Sequence, residues 1–73
     1  MKKYIVDMLE QKQILVLTLS DGQTVIVIEV ANEHKGYDNL IEVVERKDKT
    51  SFLLNLDQVI TARPYIPSEW VYQ

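Results

Sequence analysis

The residues best suited to chemistry fall in two short stretches. The first, His34-Lys35-Gly36-Tyr37-Asp38-Asn39, sets an imidazole, an ammonium, a phenol ring and an amide side by side. Tyr37 offers a flat face on which a nucleic-acid base can stack, an interaction worth about 1–3 kcal/mol per base. Asn39 can hydrogen-bond a base edge through its amide. His34 and Lys35 make a small, locally positive loop that would attract phosphate if several copies lined a pore. The second stretch, Asn55-Leu56-Asp57-Gln58, adds Asn55, another amide able to read a base. Each residue also has a plainer reading. Tyr37 can pack on a neighbour, and Asn39 can hold its turn through its own backbone. Asn55 can cap the corner after a strand, and His34 with Lys35 can be ordinary loop polarity.

Other chemistries find little support. With no cysteine there is no disulfide and no thiolate metal site. His34, the sole histidine, has only Glu33 or Asp38 as nearby carboxylates, a weak basis for a metal centre. No nucleophile, base and orienting group stand in a recognisable set, so we expect a binding protein without a cofactor, not an enzyme. The net charge of −3 and pI of about 4.9 argue against a strong overall grip on nucleic acid, while leaving room for a local basic rim. No run approaches the roughly 20 apolar residues of a membrane span, and no secretory signal is expected at Met1-Lys2-Lys3-Tyr4. A cytoplasmic setting follows as the expectation.

The elements that must position these residues can be read from periodicity. Lys2 to Gln11 reads as a short amphipathic helix, with Tyr4 and Met8, then Ile5 and Leu9, on one stripe. It is too short to stand alone and must dock. Gln13 to Leu19 reads as a strand, followed by turn chemistry at Ser20-Asp21-Gly22. Thr24 to Ala31 is a strand rich in β-branched residues, apolar on both faces and so expected to be covered on both. After the loop Asn32 to Asp38, strands are expected over Asn39 to Lys47, Phe52 to Leu56 and Val59 to Ala62. Lys47 to Thr50 is a solvated turn, Asp57-Gln58 is a tight corner, and Pro64 and Pro67 are expected to stop pairing. Glu42 and Glu45 are placed on a solvated strand surface.

The 73 residues make one domain, and 47% of them are hydrophobic. So small a domain buries only about 60% of its unfolded surface. Oligomerisation is then the available staple, with the first and last strands leaving edges that invite pairing.

The order of elements and several short motifs resemble the Sm-like (LSm/Hfq) family. The helix Tyr4 to Glu10 leads into Ile14-Leu15-Val16-Leu17-Thr18-Leu19, and Ser20-Asp21-Gly22-Gln23 is similar to the family's first turn. Asn39-Leu40-Ile41 resembles the opening of its third strand, and Leu53-Leu54-Asn55-Leu56-Asp57-Gln58-Val59-Ile60 its second motif. Thr61-Ala62-Arg63-Pro64 is similar to its exit from the fifth strand. The resemblance implies a mostly β fold: a short helix and five strongly bent antiparallel strands in a small SH3-type barrel over 3–64. It further implies a homo-oligomeric ring built by edge pairing of the fourth and fifth strands. Residues 65–73 then form a C-terminal aromatic tail.

The resemblance implies single-stranded RNA at the inner rim, with Tyr37 and Asn39 in its RNA-reading positions; Asn55, Lys35 and His34 join them as RNA-binding candidates on residue type. The departures are specific. The family's mid-strand glycine falls near Val27, Lys35 stands where its loop carries Asp, and Asn55-Leu56 replaces its Arg-Gly. Losing that arginine removes a planar donor able to stack on a base and bind phosphate. The alternative is therefore an Sm-like oligomeric scaffold that has lost RNA binding and takes a protein or small anionic ligand. Trp70 and Tyr72 would be its docking anchors. A monomeric SH3-like adaptor is the third reading.

Overall fold

The computed structural model describes residues 1–66. Helix α1 (Lys2–Glu10) precedes five strands: β1 (Leu15–Leu19), β2 (Thr24–Asn32), β3 (Leu40–Glu45), β4 (Ser51–Asn55) and β5 (Val59–Pro64). A single 3-10 turn, Leu56–Gln58, joins β4 to β5. The strands form one antiparallel sheet in the order β4-β3-β2-β1-β5. Helix plus five-stranded antiparallel sheet is a topology compatible with the Sm fold. Among the described residues β4 and β5 do not pair with each other, so the sheet is open and these two strands are its borders. No described helix is long and apolar enough to cross a membrane.

The helix docks through Ile5, Val6 and Leu9, with Met8 partly buried beside them. Tyr4, expected on the docking stripe, stays 41% exposed. Successive helical residues are 100° apart, so the sheet selects the Ile5/Val6/Leu9 arc and rotates Tyr4 outward. Just past the C-cap Gln11, Lys12 takes φ +66°. Lys12 N–H donates to the Leu9 carbonyl and Gln13 N–H to the Met8 carbonyl, at 3.0 Å each. This paired return is a Schellman cap built without its usual glycine.

The core joins those helix residues to Leu15 and Leu17 of β1, Val27 of β2, Ile41 and Val43 of β3, Leu54 of β4, and Leu56 and Val59. Strand β2 is covered less completely than its composition suggests. Val25, Val27 and Val30 face the core, whereas Ile26 and Ile28 lie outside it and remain half-buried.

The pairing of β2 with β3 slips twice, between Val27 and Glu29 and between Val30 and Asn32. Ile28 and Ala31 are the extra residues. Bulges bend and twist a strand, so two of them do the work of a mid-strand glycine, and Val27 can be fully buried. Pro64 does not stop the pairing of β5. It lies opposite Leu15, and Tyr65 N–H donates to the Ile14 carbonyl at 2.7 Å. Alternation then turns the Pro64 nitrogen to the outer side, where an edge strand needs no donor.

Two stability tests follow. Lys12→Gly should raise the unfolding free energy by up to about 1 kcal/mol, read from the urea midpoint at fixed protein concentration, because glycine holds positive φ without steric cost. Ile41→Ala should lower it by about 2–5 kcal/mol in the same titration.

Candidate nucleic-acid interface

The loop between β2 and β3 is shaped by its own polar groups. Asn32 Oδ1 accepts from His34 N–H at 3.0 Å, an Asx turn that steers the chain. His34 then adopts φ +54°, and Tyr37 N–H donates to the His34 carbonyl at 2.9 Å. His34 Nε2 lies 3.2 Å from Glu42 Oε1 on β3. Glu42, expected on a solvated surface, is thus half-buried and engaged with the loop.

The helix holds this loop from the other side. Lys2 Nζ donates to the Tyr37 carbonyl at 2.6 Å and to the His34 carbonyl at 3.0 Å. The carbonyls are tied down while the Tyr37 ring stays free: the residue is 59% exposed. An exposed tyrosine on a braced backbone is suited to stacking, because little further freedom is lost when a flat ligand arrives.

The second stretch forms the corner at the end of β4. Asn55 Oδ1 accepts from Asp57 N–H at 2.9 Å and caps the 3-10 turn. The plainer reading of Asn55 is therefore real, yet it leaves the Asn55 amide nitrogen uncommitted among the described residues. Leu56, between Asn55 and Asp57, sends its side chain into the core and is 7% exposed. Its N–H donates to the Asn39 carbonyl at 2.7 Å.

That bond brings the two stretches together. Strand pairing sets Leu40 opposite Asn55, and Asn39 Nδ2 donates to Asp57 Oδ2 at 3.4 Å. Asn39, Asn55 and Asp57 are all exposed and share one corner of the sheet. Asp57 has no ion pair among the described residues, where the only salt bridge joins His34 and Glu42. Asp57 and Lys2 escaped the reading of functional residues. The Asn-x-Asp spacing was the available signal for the first; nothing local marks the second, whose partners lie 32 and 35 residues away.

Lys35 goes elsewhere. It lines an open groove of about 530 Å³ between helix and loop, together with Lys2, Lys3, Asp7, Glu33 and Asp38. Three lysines share the groove with three carboxylates, Asp7, Glu33 and Asp38, which offset the lysine charge. No group of three or more histidines and carboxylates able to hold a metal occurs among the described residues. Trp70 and Tyr72, the expected docking anchors, lie outside the described residues.

The chain matches no family profile, and comparison with curated proteins and with solved structures likewise returns no match.

Removing the brace should loosen the loop without unfolding the sheet. Lys2→Met should raise hydrogen exchange at the Tyr37 amide roughly fivefold, as expected for about 1 kcal/mol lost with charge-assisted bonds at a part-exposed site. Amide exchange followed by NMR, with core amides of β1 unchanged, checks it.

Proposed function

We propose that this chain is an Sm-like subunit that assembles with copies of itself into a ring and binds single-stranded RNA at the inner rim. One observation carries the assembly: the sheet ends on β4 and β5, and each border bears a large exposed apolar side chain. Leu53 on β4 is 57% exposed and Ile60 on β5 is 60% exposed. Unpaired backbone edges flanked by such side chains are a template for joining another chain. Because the borders are different strands, contact between them is head-to-tail, and it closes into a ring when the rotation permits.

The RNA reading is supported by the nature of the exposed corner. Tyr37 supplies an exposed stacking face, Asn39 carries an amide two residues on, and Asn55, opposite Leu40 in the strand register, carries another. These are groups that recognise bases without a strongly basic surface. Binding, with no chemical step, is the role proposed for them. A second reading, a ring that holds a protein or small anionic ligand instead of RNA, is favoured by the net charge of −3 and by Asn55 in place of arginine.

Light scattering of the full chain should give a particle several times the chain mass. The double variant Leu53→Lys, Ile60→Lys should run as a folded monomer with an unchanged circular dichroism spectrum. A monomeric parent chain at micromolar concentration overturns the ring. Fluorescence titration of the assembled protein with short single-stranded RNA should show binding that weakens as salt rises, and Tyr37→Ala should weaken it roughly tenfold. An intact ring that binds no RNA leaves the scaffold reading in its place.

A further inference from the structure

The geometry points to guanine as the base this corner selects, an inference that rests on the RNA-binding reading above. The chemistry free to meet a base here is unusual in being built around a carboxylate. Asp57 is exposed, has no cationic partner within ion-pair distance among the described residues, and spends only one bond, a long one, on Asn39 Nδ2. An ionised carboxylate only accepts hydrogen bonds and has about four lone-pair positions, so at least one oxygen and part of the other remain open. The same carboxylate repels phosphate, so the corner favours contact with a base over contact with the backbone.

The four bases differ sharply in what they can give a carboxylate. Guanine presents two adjacent donors, N1–H and the N2 amino group, spaced to meet both oxygens. Uracil has one donor, N3–H, flanked by two carbonyl oxygens that a carboxylate repels. Adenine and cytosine each set one amino donor beside a bare ring nitrogen, which is also repelled. Guanine alone lets the carboxylate form the bidentate, charge-assisted arrangement.

The neighbouring amide completes the match. Asn55 Oδ1 is committed to Asp57 N–H at 2.9 Å, which fixes the orientation of that amide and leaves its nitrogen as a donor. Guanine O6, next to N1–H, is the acceptor that such a donor requires. Tyr37, two residues before Asn39, adds a stacking face that any base can use and so contributes affinity without choice. With no cation paired to it among the described residues, the Asp57 carboxylate is left uncompensated and makes the selection.

The test compares short oligomers of alternating uridine and guanosine with the same oligomers carrying inosine in place of guanosine, and with oligouridine and oligoadenosine. Binding is followed by fluorescence anisotropy on the full-length assembled protein. Inosine retains N1–H and O6 but lacks the N2 amino group, so it removes one bond of the pair without touching the protein. The guanosine oligomer should bind most tightly, and the inosine oligomer roughly tenfold more weakly. Asp57→Asn should bring guanosine and inosine oligomers to equal affinity while the ring stays intact by light scattering. Equal binding of guanosine and inosine oligomers by the parent protein, or tighter binding of oligouridine or oligoadenosine, overturns guanine selection and leaves RNA binding standing. No binding to any oligomer overturns both.

Discussion

The arrangement depends on the burial of Leu56. That side chain, placed where the chain reverses between β4 and β5, enters the core beside Leu54 and Val59 and fixes the 3-10 turn at one depth. Its backbone N–H is thereby presented to the Asn39 carbonyl, and the start of β3 is tied to the end of β4. Asn55 and Asp57, on either side of it, are left at the surface, where Asn55 Oδ1 accepts from the Asp57 backbone N–H and the Asp57 carboxylate accepts from Asn39 Nδ2. A hydrophobic anchor of one residue thus sorts its neighbours into a polar constellation. The same turn carries the chain across the sheet, so that β5 lands beside β1 and not beside β4. Border strands and candidate binding corner are two results of one packing event.

How much of this was legible in the sequence follows from the range of the forces involved. Local signals read well. The Ser20-Asp21-Gly22 turn forms with Gly22 at φ +89° and Gln23 N–H bonded to Asp21 Oδ1, and Asn55 caps the corner its type suggests. Strand existence follows from alternation and turn chemistry, but β1, expected at an edge of the sheet, lies inside it between β2 and β5, because the long return of β5 covers its other flank. Choices made by packing read less well. Periodicity gives a helix an apolar arc several residues wide, but only the sheet decides that Val6 and not Tyr4 is buried. The bulges at Ile28 and Ala31 have no glycine to announce them; they arise because β2 must curve over the core while its partner runs on.

The candidate site was half legible for the same reason. Residue types suited to stacking and base reading, Tyr37, Asn39 and Asn55, can be recognised one by one. The contact of Asn39 with Asp57 spans 18 residues and exists only once β3 and β4 have paired in register. The hold of Lys2 on the loop is longer in range still, and it requires the docked helix. Lys35 reads as a rim charge from sequence alone, yet it lies in a groove where acidic side chains answer it.

Placing the last strand next to the first has a cost in time. Strand β1, with Leu15, Val16 and Leu17 all buried in the finished fold, has only helix α1 and β2 for company until residues near 60 arrive to cover its other flank. During synthesis it therefore waits with one backbone edge and much of its apolar surface uncovered. Closing so large a loop through the chain is the slow kind of contact to make. For a strand this greasy the waiting interval is when stray association is most dangerous. The speed with which β5 arrives thus bears on how much of the newly made chain reaches its native sheet.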